Sequence, residues 1–502
     1  MSIVVKQTSI VVNNYEAGTA PSLERCFMVF DRLTHQYFLK GIEYDEETGR
    51  LVLPRGIDIP WLEHQLNQQA KVDYYHDKFD MLPGQVMLRY KPRDDRQRET
   101  LAFMLGKGMY DYTKHRSQLC VNNNTGEGKT WACVTTACIM NMRSIVITST
   151  IGWLDQWKAR ILEYTDLTPR NICFIKGSAR INKLIEEGPG EFRFFLVSHS
   201  TIASYAKTNG WDAVGELFKL LRIGIKFYDE AHMFFDNMCK IDYHTNTYKT
   251  YYVSATLGRS NEEEDRIFKF YIKNIPSICL FDPESDPHTK YRAILFNSQP
   301  SAQQIADCKN SYGLDRNKYT NYVIEQDNFI LLLHIIMNKI VLNTDGKVLM
   351  YIGTQAAIEK VKDWLEDHYP MFTYGVYTHK TPAEKKQSQL DKRIILSTTK
   401  SAGAAVDIAG LKLTIVLAEP FRSEVLARQT LGRTRAADTE YVDVVDNSFH
   451  YTRRFYDKKK PVFDKYASEC TEERYGNNTL VAVAEECKEY LRTHPFPFVF
   501  DD

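Results

Sequence analysis

From about residue 115 onward, short apolar β-rich runs alternate with amphipathic helical stretches, and they do so in two series. The first series is RSQLCV (116–121), RSIVITST (143–150), FRFFLVSHS (192–200), GIKFYDE (224–230) and YYVSAT (251–256). The second is KVLMYIG (347–353), FTYGVYT (372–378), RIILSTT (393–399), LTIVLAEP (413–420) and EYVDVVD (440–446). Strands that are apolar along their whole length suit a sheet covered on both faces, and the intervening helices supply the crossovers that parallel strands need. Two such series predict two α/β domains, with the pattern broken near 285–300 at DPESDPHTKY.

A chain of 502 residues is too long for one compact core and suits two or three domains. Residues 1–88 differ from the rest. Two β-rich runs open the chain, SLERCFMVFDRL reads as one helix with Phe27, Val29, Phe30 and Leu33 on its apolar face, and GIEYDEETGRLVLP reads as a hairpin. The expected division is a small N-terminal α+β domain over 1–88, α/β domains over 89–290 and 291–475, and a C-terminal tail over 476–502.

No run of about 20 apolar residues appears, so no membrane-spanning helix is expected. MSIVVKQTSIVV lacks the basic start and apolar core of a signal peptide, which suits a cytoplasmic protein. The ten cysteines have no metal-ligand spacing, and Cys133 and Cys138 read as core thiols. Lys+Arg and Asp+Glu both count 64, so any grip on phosphates must come from local patches and backbone N–H groups rather than net charge.

Thr125, Gly126, Glu127, Gly128, Lys129 and Thr130 follow a strand and open a helix, the context that a phosphate-binding loop needs. Glycines let backbone N–H groups converge on one anion, and the helix N-terminus adds its positive end. Lys129 can reach the β- and γ-phosphates of ATP, and Thr130 can offer a hydroxyl to Mg²⁺. Asn123 stands where the strict pattern has its first glycine. Asp229, Glu230, Ala231 and His232 close a later strand. There Asp229 can hold Mg²⁺ through water, and Glu230 can polarise the attacking water as general base. Ser254, Ala255 and Thr256 close the next strand, and the run Gln429 to Arg435 follows LTIVLAEP. Arginines facing an ATP site can stabilise charge on the transferring phosphoryl group.

Together these residues resemble the superfamily 2 helicases over about 90–470, on the DEAH-box side, and within them the phage UvsW and XPB-like group of DNA translocases. The resemblance implies two tandem RecA-like domains that hydrolyse ATP with Mg²⁺ in the cleft between them. It makes Gln97 the adenine reader and gives Asp407 a place at the nucleotide. His232, Ser254 and Thr256 become coupling residues. Gln429, Arg433 and Arg435 become catalytic from the second domain. TSTIGWLDQWKARI is similar to the family's first nucleic-acid segment, with Thr150 kept and Ser149 in place of proline; Ser198, Thr354 and Thr398 are further expected contacts. Phage members often carry an N-terminal segment like LVLPRG, here Leu51 to Gly56. Two departures stand out. The last motif brings its second arginine one residue early, at Arg435, which makes Arg433 the safer finger, and Ala405 replaces a glycine two residues before Asp407.

The function so implied is an ATP-dependent DNA helicase or translocase acting on branched or duplex DNA, monomeric and cytoplasmic (host cytoplasm for a phage protein), with residues 1–88 as an accessory DNA-recognition domain or, as the alternative, a structural brace on the first motor domain. The alternative is an RNA helicase. A packaging or restriction motor would need a nuclease domain for which the two strand series leave no room, and intact Lys129, Asp229 and Glu230 argue against a scaffold without turnover.

Overall fold

The computed structural model describes the chain apart from residues 32–33, 68–70, 124–126, 150, 256, 260–261, 281–288, 312, 403–407, 433–437 and 494–502. The chain divides into two compact units, Met1–Phe281 and Asp282–Asp502.

Among the described residues, each unit carries a seven-stranded parallel sheet. In the first unit the spatial order is Ile172–Ile175, Phe194–Ser198, Ser144–Thr148, Ile225–Asp229, Lys249–Val253, Gln118–Val121 and Ser277–Ile278. In the second it is Tyr374–Tyr377, Ile394–Ser397, Lys347–Ile352, Leu411–Ala418, Thr439–Asp446, Thr289–Phe296 and Glu469–Arg474. Numbered by chain order within its unit, each sheet runs third, fourth, second, fifth, sixth, first, seventh. One topology is therefore used twice.

The first sheet is buried on both faces because its strands carry apolar residues at successive positions. Leu119, Val121, Val146, Phe194, Leu196, Phe227 and Tyr251 enter one core, and Cys120, Ile145, Ile147, Phe195, Val197, Tyr228 and Tyr252 the other. Period-two side-chain alternation sends neighbouring residues to opposite faces.

That second core is shared with the N-terminal region. Its mixed sheet runs Glu43–Asp45, Arg50–Pro54, Ser9–Asn13, Ser2–Val5, Lys71–Tyr74, antiparallel except for the last pair. Ile3, Val5, Ile10, Leu23, Leu51, Leu53 and Leu62 pack into the same cluster as Tyr228, Met238 and Tyr271. Polar ties add to this: Gln118 Nε2 donates to Thr8 O at 3.3 Å, and His244 Nε2 meets Glu43 Oε2 at 2.8 Å.

Two sequence expectations need correcting. SLERCFMVFDRL is not one helix: Pro21–Phe27 is helical, and Met28–Asp31 is a strand paired antiparallel with Gln36–Leu39. Valine and phenylalanine at 29 and 30 favour a pleated ribbon. The Arg266 guanidinium takes the carbonyl oxygens of Arg25, Cys26 and Met28 at 3.3, 2.9 and 2.7 Å, satisfying groups that a continuing helix would have used. The break expected near 285–300 also contains a strand, Thr289–Phe296, paired on both sides. Its charged Lys290 and Arg292 hid an otherwise apolar run, and Arg292 is neutralised by Glu440 at 2.6 Å and Glu473 at 2.8 Å. In the second unit the last described helix, Asn477–Thr493, buries Leu480, Ala484 and Cys487 in the core beside Leu332, Ile336 and Leu365.

Candidate active site

Parallel strands deliver all their C-terminal ends to one edge, and the first sheet collects its polar sequence motifs there. Gln118–Val121 leads to the phosphate loop, Ile225–Asp229 ends on Asp229, and Lys249–Val253 leads to Ser254. Backbone bonds join the three ends: Ala231 N donates to Val253 O and Ser254 N to Val121 O, both at 3.0 Å.

The loop expected to bind phosphate ends at Gly128, which opens the helix Lys129–Met140. Gly128 has φ +78°, a backbone conformation that favours glycine, and a Cβ there would lie 2.0 Å from the Gln97 side-chain Nε2, which would have to move aside. Gln97 is buried in the helix Asp95–Leu105 against this loop, where its Oε1 accepts from Arg93 N at 2.8 Å. Lys129 Nζ donates to Asn123 O at 2.8 Å. Asn123, in the place of a glycine, is an anchor: its Nδ2 donates to Thr100 Oγ1 at 2.6 Å and its Oδ1 accepts from Leu280 N at 3.2 Å. Glu127 lies 3.9 Å from Arg96, and Thr130 is in the first helical turn beside Lys129. Thr125 and Gly126 lie outside the described residues.

At the end of Ile225–Asp229, one strand beyond Lys249–Val253, Glu230 adopts φ +53°, a left-handed conformation that costs a non-glycine residue energy. Its Oε2 accepts from Ser254 Oγ at 3.2 Å, and Ser254 Oγ lies 2.9 Å from His232 Nδ1. Burial, then the Arg259 charge, pulls the His232 pKa down to about 3, so the imidazole is neutral. Asp229 Oδ2 accepts from the Trp157 indole N–H at 2.7 Å. Burial and then the Glu230 charge push the Asp229 carboxyl above its usual range, against the Trp157 hydrogen bond and the Lys129 charge. Thr256 lies outside the described residues. A carboxylate and a hydroxyl are hard oxygen donors, so Asp229 and Thr130 suit Mg²⁺, which keeps several of its waters.

No family model and no curated protein matches the chain. Solved structures do. S. cerevisiae Dbp5 bound to RNA and ADP BeF3 aligns at TM-score 0.50 and 13% identity, over 79% of this chain and 93% of that one. A variant of the same yeast protein, also bound to RNA and ADP BeF3, aligns at 0.51 and 12% over the same shares. The chain has the tandem RecA-like fold. T4 UvsW covers 95% of this chain and 100% of its own at 12% identity, with a TM-score of 0.36, too low to add to that assignment.

The hydroxyl residues expected at nucleic acid share one structural role in the two RecA-like domains. Ser198, Thr354 and Thr398 each end or follow a strand and cap the turn after it. Ser198 Oγ accepts from Thr201 N, Thr354 Oγ1 from Ala357 N and Thr398 Oγ1 from Ser401 N, each at 3.2 Å. Ser198 is fully buried, whereas Ser200 on the same turn is exposed. Thr150 lies outside the described residues; beside it the Ser149 hydroxyl is buried without a hydrogen-bond partner among the described residues.

In the second RecA-like domain, Gln429 is buried on the helix Glu424–Leu431. Arg433, Arg435 and Asp407 lie outside the described residues. Sequence reading missed Glu419 there. Its carboxylate accepts from the backbone N–H of Thr399 at 2.8 Å and from its hydroxyl at 2.5 Å, and so anchors the turn that begins with Thr398. It also missed Trp157, whose spacing with Leu154 and Ile161 signals only a core face.

Proposed function

We propose that this chain is an ATP-driven motor of the DEAH-box helicase type that translocates on, or remodels, branched or duplex DNA. The observation that carries the reading is the gathering at one sheet edge of a glycine-dependent anion loop with Lys129, the carboxylates of Asp229 and Glu230, and the Ser254–His232 link. In this reading Lys129 and the loop N–H groups hold the ATP phosphates and Gln97 reads the base. Thr130 and Asp229 hold Mg²⁺, which neutralises charge on the phosphate oxygens when bound. Glu230 takes a proton from the attacking water. Gln429, Arg433, Arg435 and Asp407 act from the second domain. His232, Ser254 and Thr256 couple the nucleotide to movement, and Thr150, Ser198, Thr354 and Thr398 meet the nucleic-acid backbone. RNA is the second reading, favoured by the RNA held in the Dbp5 structures.

One comparison tests both. ATPase rates of the wild type and of Lys129→Ala are measured with single-stranded, forked and duplex DNA and with RNA. Stimulation by forked or duplex DNA that vanishes in Lys129→Ala supports the proposal. Stimulation by RNA alone moves the chain to the second reading, and near-normal turnover in Lys129→Ala removes the phosphate loop from the mechanism.

A further inference from the structure

We infer that Trp157 is a positioning residue for the Asp229 carboxylate and fixes how that group meets the magnesium ion of bound nucleotide. This rests on the ATP-hydrolysing reading above and deepens it.

Trp157 lies on the helix Ile151–Tyr164, which follows the strand Ser144–Thr148. That strand pairs with Ile225–Asp229, Ile147 opposite Tyr228, so the helix and Asp229 arise from adjacent strand ends. The indole is 3% exposed and stacks on Phe227, two residues before Asp229, at a centroid distance of 6.5 Å and an interplanar angle of 30°. Its N–H reaches Asp229 Oδ2 at 2.7 Å, the short length of a charge-assisted bond. A phenylalanine would fill much of this apolar space without a buried donor. The indole N–H instead makes a directional bond, and one carboxylate oxygen is fixed by it. Donors in this outer position orient ligating groups, and removing one commonly lowers metal affinity about 10–100-fold. The helix also packs on Lys129–Met140, so one element touches both the phosphate-loop helix and the carboxylate strand.

A purely structural tryptophan and a positioning one differ in a binding readout. The probe is mant-ADP, titrated into the full chain with Mg²⁺ and again with EDTA; the ratio of the two Kd values is the magnesium enhancement. Trp157→Phe should keep its EDTA affinity within about twofold and lose about tenfold of the enhancement. In an Asp229→Asn background the same change should do nothing further. An unchanged enhancement in Trp157→Phe overturns the inference, as does an equal loss in both backgrounds. A wild type without any magnesium enhancement overturns the ATP reading itself, and the inference with it. Should Trp157→Phe not fold, 5-fluorotryptophan labelling replaces it. One indole resonance should move when Mg²⁺ and ADP are added to the wild type and stay fixed in Asp229→Asn; a spectrum in which none responds in this way overturns the inference.

Discussion

His232 Nδ1 lies 2.9 Å from Ser254 Oγ, and the same hydroxyl donates to Glu230 Oε2 at 3.2 Å. With the serine proton given to the carboxylate, the neutral imidazole must carry its own proton on Nδ1. The two strand ends are therefore linked in a fixed donor order, Nδ1–H to Oγ and Oγ–H to Oε2. Ser254 is fully buried.

Ser254→Ala should break that order. It removes the serine oxygen from a buried imidazole N–H whose other neighbour, Glu230 Oε2, lies at 3.4 Å, a loss of about 1–3 kcal/mol in stability. If the link couples nucleotide to movement, nucleic-acid stimulation of the ATPase should fall by about tenfold, within the usual range of a coupling free energy, while nucleotide affinity stays within about twofold. Wild-type stimulation in a folded Ser254→Ala protein would assign the link a purely structural role.

Glu230→Gln should separate binding from turnover. The amide oxygen can still accept from Ser254, and the residue can hold the same left-handed backbone, but it is a poor base. ATP should bind, and turnover should fall by about two to four orders of magnitude. Equilibrium binding of a fluorescent nucleotide beside steady-state ATPase checks this; a variant that fails to bind ATP places Glu230 in binding and not in base catalysis.

Arg433→Ala and Arg435→Ala belong in one assay. The arginine that acts on the transferring phosphoryl group should cost at least about 1,000-fold in turnover with nucleotide affinity largely kept. The expected outcome is that Arg433 is that residue. A dead Arg435 variant beside a healthy Arg433 variant reassigns the finger.

His244 should give the stability of the first unit a pH dependence. Burial draws its pKa down, but hydrogen bonds and charge from Glu43 and then Asp212 outweigh this, and the net shift is upward. A raised folded-state pKa means that the stabilisation is complete below the unfolded value, about 6.5, and is lost as pH rises through the folded one. Urea unfolding between about pH 5 and 8 should show the wild type's advantage over His244→Gln shrinking with rising pH. An advantage that is constant or grows across that range contradicts the sign.

Much of the fold was legible because its signal is local. The ten apolar runs read from the sequence all contain strands, and the loop before Lys129 announces itself by residue types that few other structures require. Four further strands of these sheets escaped. Glu469–Arg474 is ECTEER and almost wholly exposed, so no apolar pattern marks it; it is a strand because Thr289–Phe296 offers it an unpaired edge. Ile172–Ile175 and Ser277–Ile278 are short, and Thr289–Phe296 is masked by charge that partners elsewhere neutralise.

The sequence by itself determined that two parallel α/β sheets would form and that a glycine-containing loop and a pair of carboxylates would follow strands of the first. These follow from side-chain period, turn chemistry and helix-start signals, all set within a few residues. Only the tertiary structure decided that Trp157 would serve Asp229, that Ser254 would join His232 to Glu230, and that the N-terminal sheet would share a core with Tyr228 and Tyr271. Each depends on which strands lie side by side. That is a matter of long-range packing, and residues separated by 72 positions, as Trp157 and Asp229 are, carry no local mark of their meeting.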